Sequence, residues 1–467
     1  MSALGTTVLS ELRSIVGSSH VLVDPDVKVG YERDITGRFA GTASAVVLPA
    51  DTAEVTQIVE ACCRARVPVV AQGGNTGLSG GAVPFDGEVV LSLRRLGAIG
   101  PIDPLSGQVS VGAGVTLEEL HAHARASGLR FPVDHAARSA ATIGGMVATN
   151  AGGPLALRHG TMRNQVVGLE VVLGDGRVLR RMEGLLKDNA GYDFTPTLVG
   201  SEGTLAVVTA ARLRLARDPT FRLTALLGLD SLDDAVSLVS ALRPSVGALE
   251  AADFFTEDGM ALVCEHRGVE PPFAGRHPAY VVLEVADDSD PSEVLARALE
   301  PVEALVRDIA VANDTARRAA LWSYRESHNE AINLSGVPLK VDVSVAPADA
   351  ARFAEDVRHL VGRSGESARL VLYGHLGDGN VHVNVLEPPD RVEDLEADIM
   401  RLVSEYRGSI NAEHGVGRAK VAWLHFSRSP DEIALMRSVK RIFDPEGILG
   451  PGRIFSAEPE TAPRRAS

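Results

Sequence analysis

Two segments of the chain gather side chains able to hold a cation and move a proton. The first is Val371-Leu372-Tyr373-Gly374-His375-Leu376-Gly377-Asp378-Gly379-Asn380-Val381-His382-Val383-Asn384-Val385. Val381, Val383 and Val385 alternate with His382 and Asn384, the pattern of a strand with one apolar face. Asp378-Gly379 tolerates the positive φ of a two-residue hairpin turn. That turn pairs His375 with His382, Cβ atoms ~5 Å apart, and puts Asn384 on the same face opposite Tyr373. Two imidazoles so placed can share one divalent metal. The second segment, GSINAEHGVGRAK, supplies Glu413 and His414. Two histidines with one carboxylate leave coordination positions open, which marks a catalytic rather than a structural site. The plainer reading of each imidazole is a solvated or hydrogen-bonded side chain.

Glycine is the other signal, with 46 residues that cluster. Gly73-Gly74-Asn75-Thr76-Gly77 follows the apolar run Pro68-Val69-Val70-Ala71. Successive amides in such a turn form a nest for phosphate oxygens, and missing side chains permit close approach. The spacing is not the Rossmann one. Thr142-Ile143-Gly144-Gly145 with Asn150-Ala151-Gly152-Gly153 repeats the theme, as does Gly200-Ser201-Glu202-Gly203-Thr204. One such loop reads as a surface turn. Three of them before residue 218 point to one extended ligand touching all three.

The elements around these loops follow from period and caps. Val46–Leu48 reads as a strand. Asp51 caps a helix, with Glu54 at the capping-box position and Val55, Ile58, Val59 and Cys62 at helical spacing. Val89–Leu93 and Val109–Val111 are further apolar runs. A helix starts at Thr116 with Glu119 and ends near Gly128. Residues 139–153 read as a small-residue loop, and 166–179 as a hairpin about Gly174-Asp175-Gly176. Past Asp218-Pro219 the glycine clusters stop and helical patterns alternate with strands. The polar end of the chain, 456–467, reads as frayed.

Composition bounds the rest. The 467 residues exceed one ordinary core, so two domains are expected. Lys+Arg number 46 against 61 Asp+Glu, and a net charge of −15 without a basic stripe makes a poor nucleic-acid binder. No apolar run approaches a membrane span, and no basic, then apolar, leader opens the chain. Cys62, Cys63 and Cys264 form neither a disulfide framework nor a CxxC pair, so a cytoplasmic setting is expected.

The segments AQGGNTGLSGG, SAATIGGMVATNAGG, LRHGTMRNQVVGLEVVLGDG, KDNAGYD and LVGSEGTL resemble the FAD-binding domain of the vanillyl-alcohol-oxidase (PCMH) type. The likeness runs almost end to end and is closest to the D-2-hydroxyacid dehydrogenase branch. It implies an α+β fold: a two-subdomain FAD-binding domain over 1–217, an α+β substrate cap with an antiparallel sheet over 218–424, and a segment 425–467 returning to the first domain. It implies that Gly73, Gly74, Asn75, Thr76, Gly77 and Gly80 hold the FAD pyrophosphate. Ser139, Thr142, Gly144, Gly145, Asn150 and Gly152 would line the ribityl and isoalloxazine side, with Glu202, Gly203 and Val207 near the ring or adenine. It implies that His375, His382 and Glu413 bind a divalent metal, zinc foremost and manganese or iron otherwise, and that His414 is the general base.

For substrate, the resemblance assigns Arg325 to a carboxylate, Lys340 to a distal carboxylate and Asn384 to a further contact. Asn329 stands where the hydroxyglutarate enzymes carry a threonine, and Gly450 of ILGPGR where the family carries asparagine. The competing readings are a solvated helix-face Arg325 and a surface pair of Lys340 with Asp342, which share strand parity. The reaction implied is oxidation of a D-2-hydroxy acid, of the D-2-hydroxyglutarate or D-lactate type, with hydride transfer to flavin N5. The electron acceptor would be an electron-transfer flavoprotein, a quinone or a cytochrome, and a homodimer is left open. Alternatives are a non-redox FAD enzyme of the alkyl-glycerone-phosphate synthase type, a glycolate-oxidase-like subunit, and a metallohydrolase. A local positive funnel near Arg325 and Lys340 is expected on this acidic chain.

Overall fold

The computed structural model describes residues 4–85, 87–365, 367–389 and 391–456. Of the segment expected to fray, 457–467 lie outside the described residues. The first sheet contains β1 (Val21–Leu22), β2 (Ala45–Val47), β3 (Val69–Gln72) and β4 (Val89–Ser92), in the order β1-β2-β4-β3. β4 is parallel to both β2 and β3, with Val89 beside Ala45 and Val69. The crossover between β2 and β3 is the helix Thr52–Ala65, capped by Asp51, whose side chain accepts from the Glu54 amide. Its apolar stripe, Val55, Ile58, Val59 and Cys62, is buried in one core with these strands. The loop that starts at Gly73 therefore leaves the carboxyl end of a parallel strand, where open sheets of this kind receive ligands.

The second sheet is antiparallel: β5 (Gln108–Gly112), β6 (Val166–Leu173), β7 (Val178–Arg181) and β8 (Ala206–Arg214), in the order β5-β8-β6-β7. β6 and β7 form the hairpin about Gly174–Gly176, with Val172 opposite Val178. Residues 139–153 differ from the loop expected of them. Ile143–Thr149 is a helix, capped by Thr142 and ended by Asn150 at φ 53°. Tertiary approach overrides propensity here. A Cβ on Gly144 would lie 2.6 Å from the Ala113 Cβ, so that glycine lets the helix pack against its neighbour.

The third sheet has seven strands: β9 (Phe221–Leu229), β10 (Leu249–Thr256), β11 (Ala279–Asp287), β12 (Val306–Ala312), β13 (Leu339–Ser344), β14 (Arg369–His375) and β15 (Asn380–Leu386). Their order is β12-β9-β11-β10-β14-β15-β13, antiparallel throughout, so the fold is α+β as expected. Ala225, Leu227, Phe254, Val281, Leu283, Val341, Val343, Leu372, Val381, Val383 and Val385 share one core with Leu238, Phe353, Val357, Leu395 and Ile399 from three covering helices. Burying each of these large side chains contributes about 1.5–3 kcal/mol. A one-residue slip would turn the whole set to the other face, so the pattern pins which residues face away from this core.

The chain end closes the first sheet. Val69 donates its amide to the Ile448 carbonyl and accepts from Gly450 (2.8 and 2.9 Å). Arg453 is buried against Glu88, with both guanidinium ends at 2.8 Å from its carboxylate oxygens. Gly450, in place of the family's asparagine, sits at φ 53°. Asparagine is among the few other residues that visit this left-handed region readily, so the exchange preserves the turn. Among the described residues no helix is long and apolar enough to cross a membrane.

Candidate active site

Alternation along β13 and β15 turns Lys340, Asp342, His382 and Asn384 away from the valine core. In register, Asp342 lies opposite His382 and Lys340 opposite Asn384. On the other flank β14 sets Tyr373 opposite His382, and β10 sets Asp253 opposite His375. The pairing expected between His375 and His382 is not the one formed: His375 is opposite Asn380. The connection is the four residues Leu376–Gly379, with the Asp378 and Gly379 amides both donating to the His375 carbonyl (3.3 and 3.1 Å). Gly379 is drawn to the neighbouring strand, where its carbonyl accepts from the Val345 amide (3.0 Å), so it does not serve as the turn's apex. A shift of two residues keeps side-chain parity. Both imidazoles therefore remain on one face as diagonal neighbours, ring centroids 5.7 Å apart.

His375, His382 and Glu413 each present a ligand atom within 4.8 Å of the others. His382 Nε2 is 3.6 Å and His414 Nε2 is 3.5 Å from Glu413 Oε1. The donor set suits a divalent cation of the zinc, manganese or iron kind. The far nitrogen of each histidine meets a carboxylate, as in sites that orient metal-bound imidazoles: His375 Nδ1 is 2.7 Å from Asp253, and His382 Nδ1 is 3.4 Å from Asp342. Burial alone would push both imidazoles down. It does so for His382, while the Asp253 charge and hydrogen bond lift His375 up to about 9.

Asp342 organises the loop that carries Glu413 and His414. Its Oδ2 accepts the backbone amides of Glu413 (3.0 Å) and His414 (3.1 Å) and lies 3.3 Å from His414 Nδ1. Its Oδ1 accepts from Asn380 Nδ2 (2.7 Å). Burial opposes this charge, yet His414, His382 and Lys420 outweigh it and hold the carboxyl well below its usual range. Lys420, also buried, donates from Nζ to the carbonyls of Asp342 and Ile410 (both 2.8 Å). The surface pair of Lys340 with Asp342 does not form, because only 4% of Asp342 is exposed and Lys340 donates instead to Asn329 Oδ1 (2.6 Å).

Arg325 is buried rather than solvated on a helix face. It ends the helix Thr315–Glu326, with Nε 3.0 Å from Asp253 Oδ2 and its guanidinium 4.5 Å from the Tyr373 ring. Asp253 thus bridges Arg325 and His375. Asn384 is buried, donating to the His382 carbonyl (3.3 Å) and toward that of Val371 (3.4 Å). Lys340 is half-buried, and burial, then the charge of Arg38, push its ammonium down to about 8.

The glycine loops divide into those that meet protein and those left open. A Cβ on Gly73 would lie 2.1 Å from Thr142 Oγ1, and one on Gly74 would lie 1.8 Å from the Ala140 carbonyl oxygen. These two glycines let the first loop lie on the second. Gly77 has nothing within 4 Å, so its bare backbone faces open space that a phosphate can approach. Asn75 is left-handed at φ 57° and donates to the Arg33 carbonyl; Gly80 packs on Phe39. Thr142 accepts from the Gly145 amide, and Asn150 accepts from Thr161 and from the Arg163 amide; Ser139 is exposed. Gly152 adjoins the cluster, a Cβ there lying 3.6 Å from Glu413 Oε2. Gly203 is left-handed, like Glu202 before it. The Glu202 carboxylate is taken by the Val416 and Gly417 amides, and the Val207 side chain is enclosed in the core. An open glycine nest on parallel-strand ends fits a dinucleotide's phosphates.

Asp253 and Ser79 had no part in the sequence reading, and Asp342 entered it only as a surface partner of Lys340. A signal existed for the two aspartates: each is a lone carboxylate between apolar residues of a strand, in EAADFF and KVDVS. Such a charge is either exposed or paired.

A glycine cradle beside an antiparallel sheet bearing this cluster is the architecture of the FAD-linked oxidoreductases. Residues 43–181 match the FAD binding domain family, and 218–454 match the C-terminal domain of the FAD linked oxidases. The chain is 39% identical over 458 residues to a D-2-hydroxyglutarate dehydrogenase of Xanthomonas citri pv. viticola, covering 95% of this chain and 96% of the relative. It is 35% identical over 463 residues to that of Stutzerimonas stutzeri (96% and 99%), and 36% identical to the mitochondrial one of Arabidopsis thaliana (97% and 82%). Solved structures of p-cresol methylhydroxylase with substrate bound (18% identity, TM-score 0.77, 97% of this chain and 96% of that one) and of alkyldihydroxyacetonephosphate synthase (16%, 0.74, 96% and 85%) share the fold. The chain belongs to the D-2-hydroxyglutarate dehydrogenase family, FAD-dependent oxidoreductases that act on D-2-hydroxy acids.

Replacing Asp342 by Asn should lower the unfolding free energy by roughly 2–4 kcal/mol, because a buried charge network loses one partner. Lys340→Ala, at a half-exposed site, should change it by less than about 1 kcal/mol. Urea unfolding of the two variants checks the contrast.

Proposed function

We propose that the protein oxidises D-2-hydroxyglutarate to the 2-oxo acid, with the help of a divalent metal, and passes the electrons to a partner other than a nicotinamide. The observation that carries this reading is His414, backed by Asp342, beside the His375–His382–Glu413 cluster and over the sheet face that bears Lys340 and meets Arg325. The names of the full-length relatives support the choice of acid.

Arg325 binds the carboxylate next to the reacting carbon, oriented by Asp253 and held over Tyr373. Lys340 with Asn329 receives the distal carboxylate, since a half-buried ammonium pairs with a carboxylate and Asn329 adds an amide donor. Asn384 borders both. His414 takes the hydroxyl proton at Nε2, because its Nδ1 faces Asp342, which stabilises the imidazolium that forms. FAD, held by the loops Gly73–Gly80 and Thr142–Gly152, supplies the acceptor for the C2 hydride. A divalent metal at His375, His382 and Glu413, zinc foremost, supplies positive charge that eases deprotonation of the hydroxyl beside it. The partner taking the electrons is drawn from electron-transfer flavoproteins, quinones and cytochromes.

A panel of D- and L-2-hydroxy acids with a dye acceptor should show D-2-hydroxyglutarate fastest; preference for L-acids would reject the stereochemistry. Burial lowers the pH at which Lys340 loses its proton, so it carries its charge below about 8 and loses it as pH rises through that value. The kcat/KM for D-2-hydroxyglutarate should therefore fall across that range while that for D-lactate holds, and Lys340→Met should erase the difference. His414→Gln should slow flavin reduction by about 10²–10⁴-fold with FAD still bound; near-normal stopped-flow traces would remove it as the base. Chelation should stop reduction and added zinc or manganese restore it. Turnover by a sample shown to be metal-free would reject the metal.

A further inference from the structure

The loop 413–419 is anchored on two sides. From the seven-stranded sheet, Asp342 holds the Glu413 and His414 amides. From the cradle, two residues hold the rest. Glu202, in the third glycine loop, accepts the successive amides of Val416 and Gly417 on its two oxygens, each at 2.7 Å. Ser79, in the first glycine loop, donates Oγ to the carbonyls of Gly415 (2.9 Å) and His414 (3.2 Å). Its own carbonyl accepts from Arg418 (2.8 Å) and Ala419 (3.2 Å).

Glu202 is strained: a non-glycine residue at φ 52°, between Gly200 at 84° and Gly203 at 71°. Such a conformation persists only where the surroundings over-determine it. Here two 2.7 Å hydrogen bonds from the successive amides of one nest do so. The partner loop is shaped to match. Gly415 and Gly417 have φ of 80° and 51°, and a Cβ would lie 3.0 Å from the Glu202 carboxyl carbon at the first and 2.2 Å from the Ser79 carbonyl oxygen at the second.

We infer that Glu202 and Ser79 are positioning residues that set His414 against the cofactor cradle, and that the Glu202 carboxylate serves this loop rather than the flavin ring or adenine. The inference rests on His414 being the base. It places the distance between base and flavin under the control of the cradle itself, so the two halves of the reaction centre share one set of hydrogen bonds. A displacement of about 1 Å at a reacting group slows turnover by about 10²-fold.

The test uses the full chain carrying Glu202→Gln or Ser79→Ala. FAD affinity is read by titrating the apoprotein and following flavin fluorescence, and flavin reduction by stopped flow at saturating FAD. The inference expects FAD Kd and substrate KM to stay within about threefold of wild type. Flavin reduction should fall about 10²-fold in Glu202→Gln and about tenfold in Ser79→Ala. A tenfold or greater rise in FAD Kd with a normal reduction rate would make Glu202 a cofactor ligand and overturn the inference, as would wild-type behaviour in both measurements. Ser79→Ala removes a single hydroxyl, so it decides the matter if Glu202→Gln does not fold. Wild-type protein that no D-2-hydroxy acid reduces would instead strike at the base assignment, while the FAD titration would still report on Glu202.

Discussion

A buried carboxylate survives only if enough donors surround it, and the Asp342 carboxylate is surrounded by two backbone amides, an asparagine amide and two imidazoles. Desolvation on this scale would neutralise an isolated carboxyl. The surrounding positive and hydrogen-bonding groups reverse that, and in doing so they are themselves fixed. The loop bearing Glu413 takes its course from Asp342, His382 takes its ring orientation, and His414 turns Nδ1 to Asp342 and Nε2 toward Glu413. Asp253 repeats the device one strand pair away, between His375 and Arg325. Two carboxylates, each opposite a histidine in the register, therefore orient the His375–His382–Glu413 cluster and the Arg325 guanidinium together.

The platform that makes this feasible is a sheet with unequal faces. One face is valine, leucine and phenylalanine under helices. The other carries Asp253, Tyr373, His375, His382, Asn384, Lys340 and Asp342 on four adjacent strands, β10, β14, β15 and β13, with Arg325, Glu413 and His414 brought to it by a helix and a loop. Rigid strands with a dry back hold their side chains within small tolerances. The cradle contributes glycines of two kinds. Gly73, Gly74 and Gly144 let chain meet chain, and Gly77 leaves backbone bare.

Much of this was legible before any coordinates. The alternation of Val381, Val383 and Val385 announced a strand whose polar face held His382 and Asn384, and the caps at Asp51 and Thr116 placed two helices. The pair of histidines landed on one face even though the turn was read two residues short, because parity survives an even shift. What escaped was tertiary. The helix Ile143–Thr149 packs its Gly144 against Ala113, about 30 residues away in sequence. The burial of Asp342 depends on a loop some 70 residues further on, contributed by Glu413 and His414. Local pattern could name the strand on which Asp342 stands; it could not show that helices and a loop would close over its polar face.

The union of β3 with residues 448–450 bears on how the protein is made. Translation delivers the chain from its amino end at about 5–20 residues per second, and each domain tends to fold as it emerges. The first sheet cannot do so fully. The Val69 amide and carbonyl wait for Ile448 and Gly450, and Glu88 waits for Arg453. Until then an unpaired strand edge and a lone carboxylate stand exposed on the nascent chain, while the seven-stranded sheet has all its own strands well before that point. The substrate half can thus be assembled first, and the nucleotide cradle is sealed last.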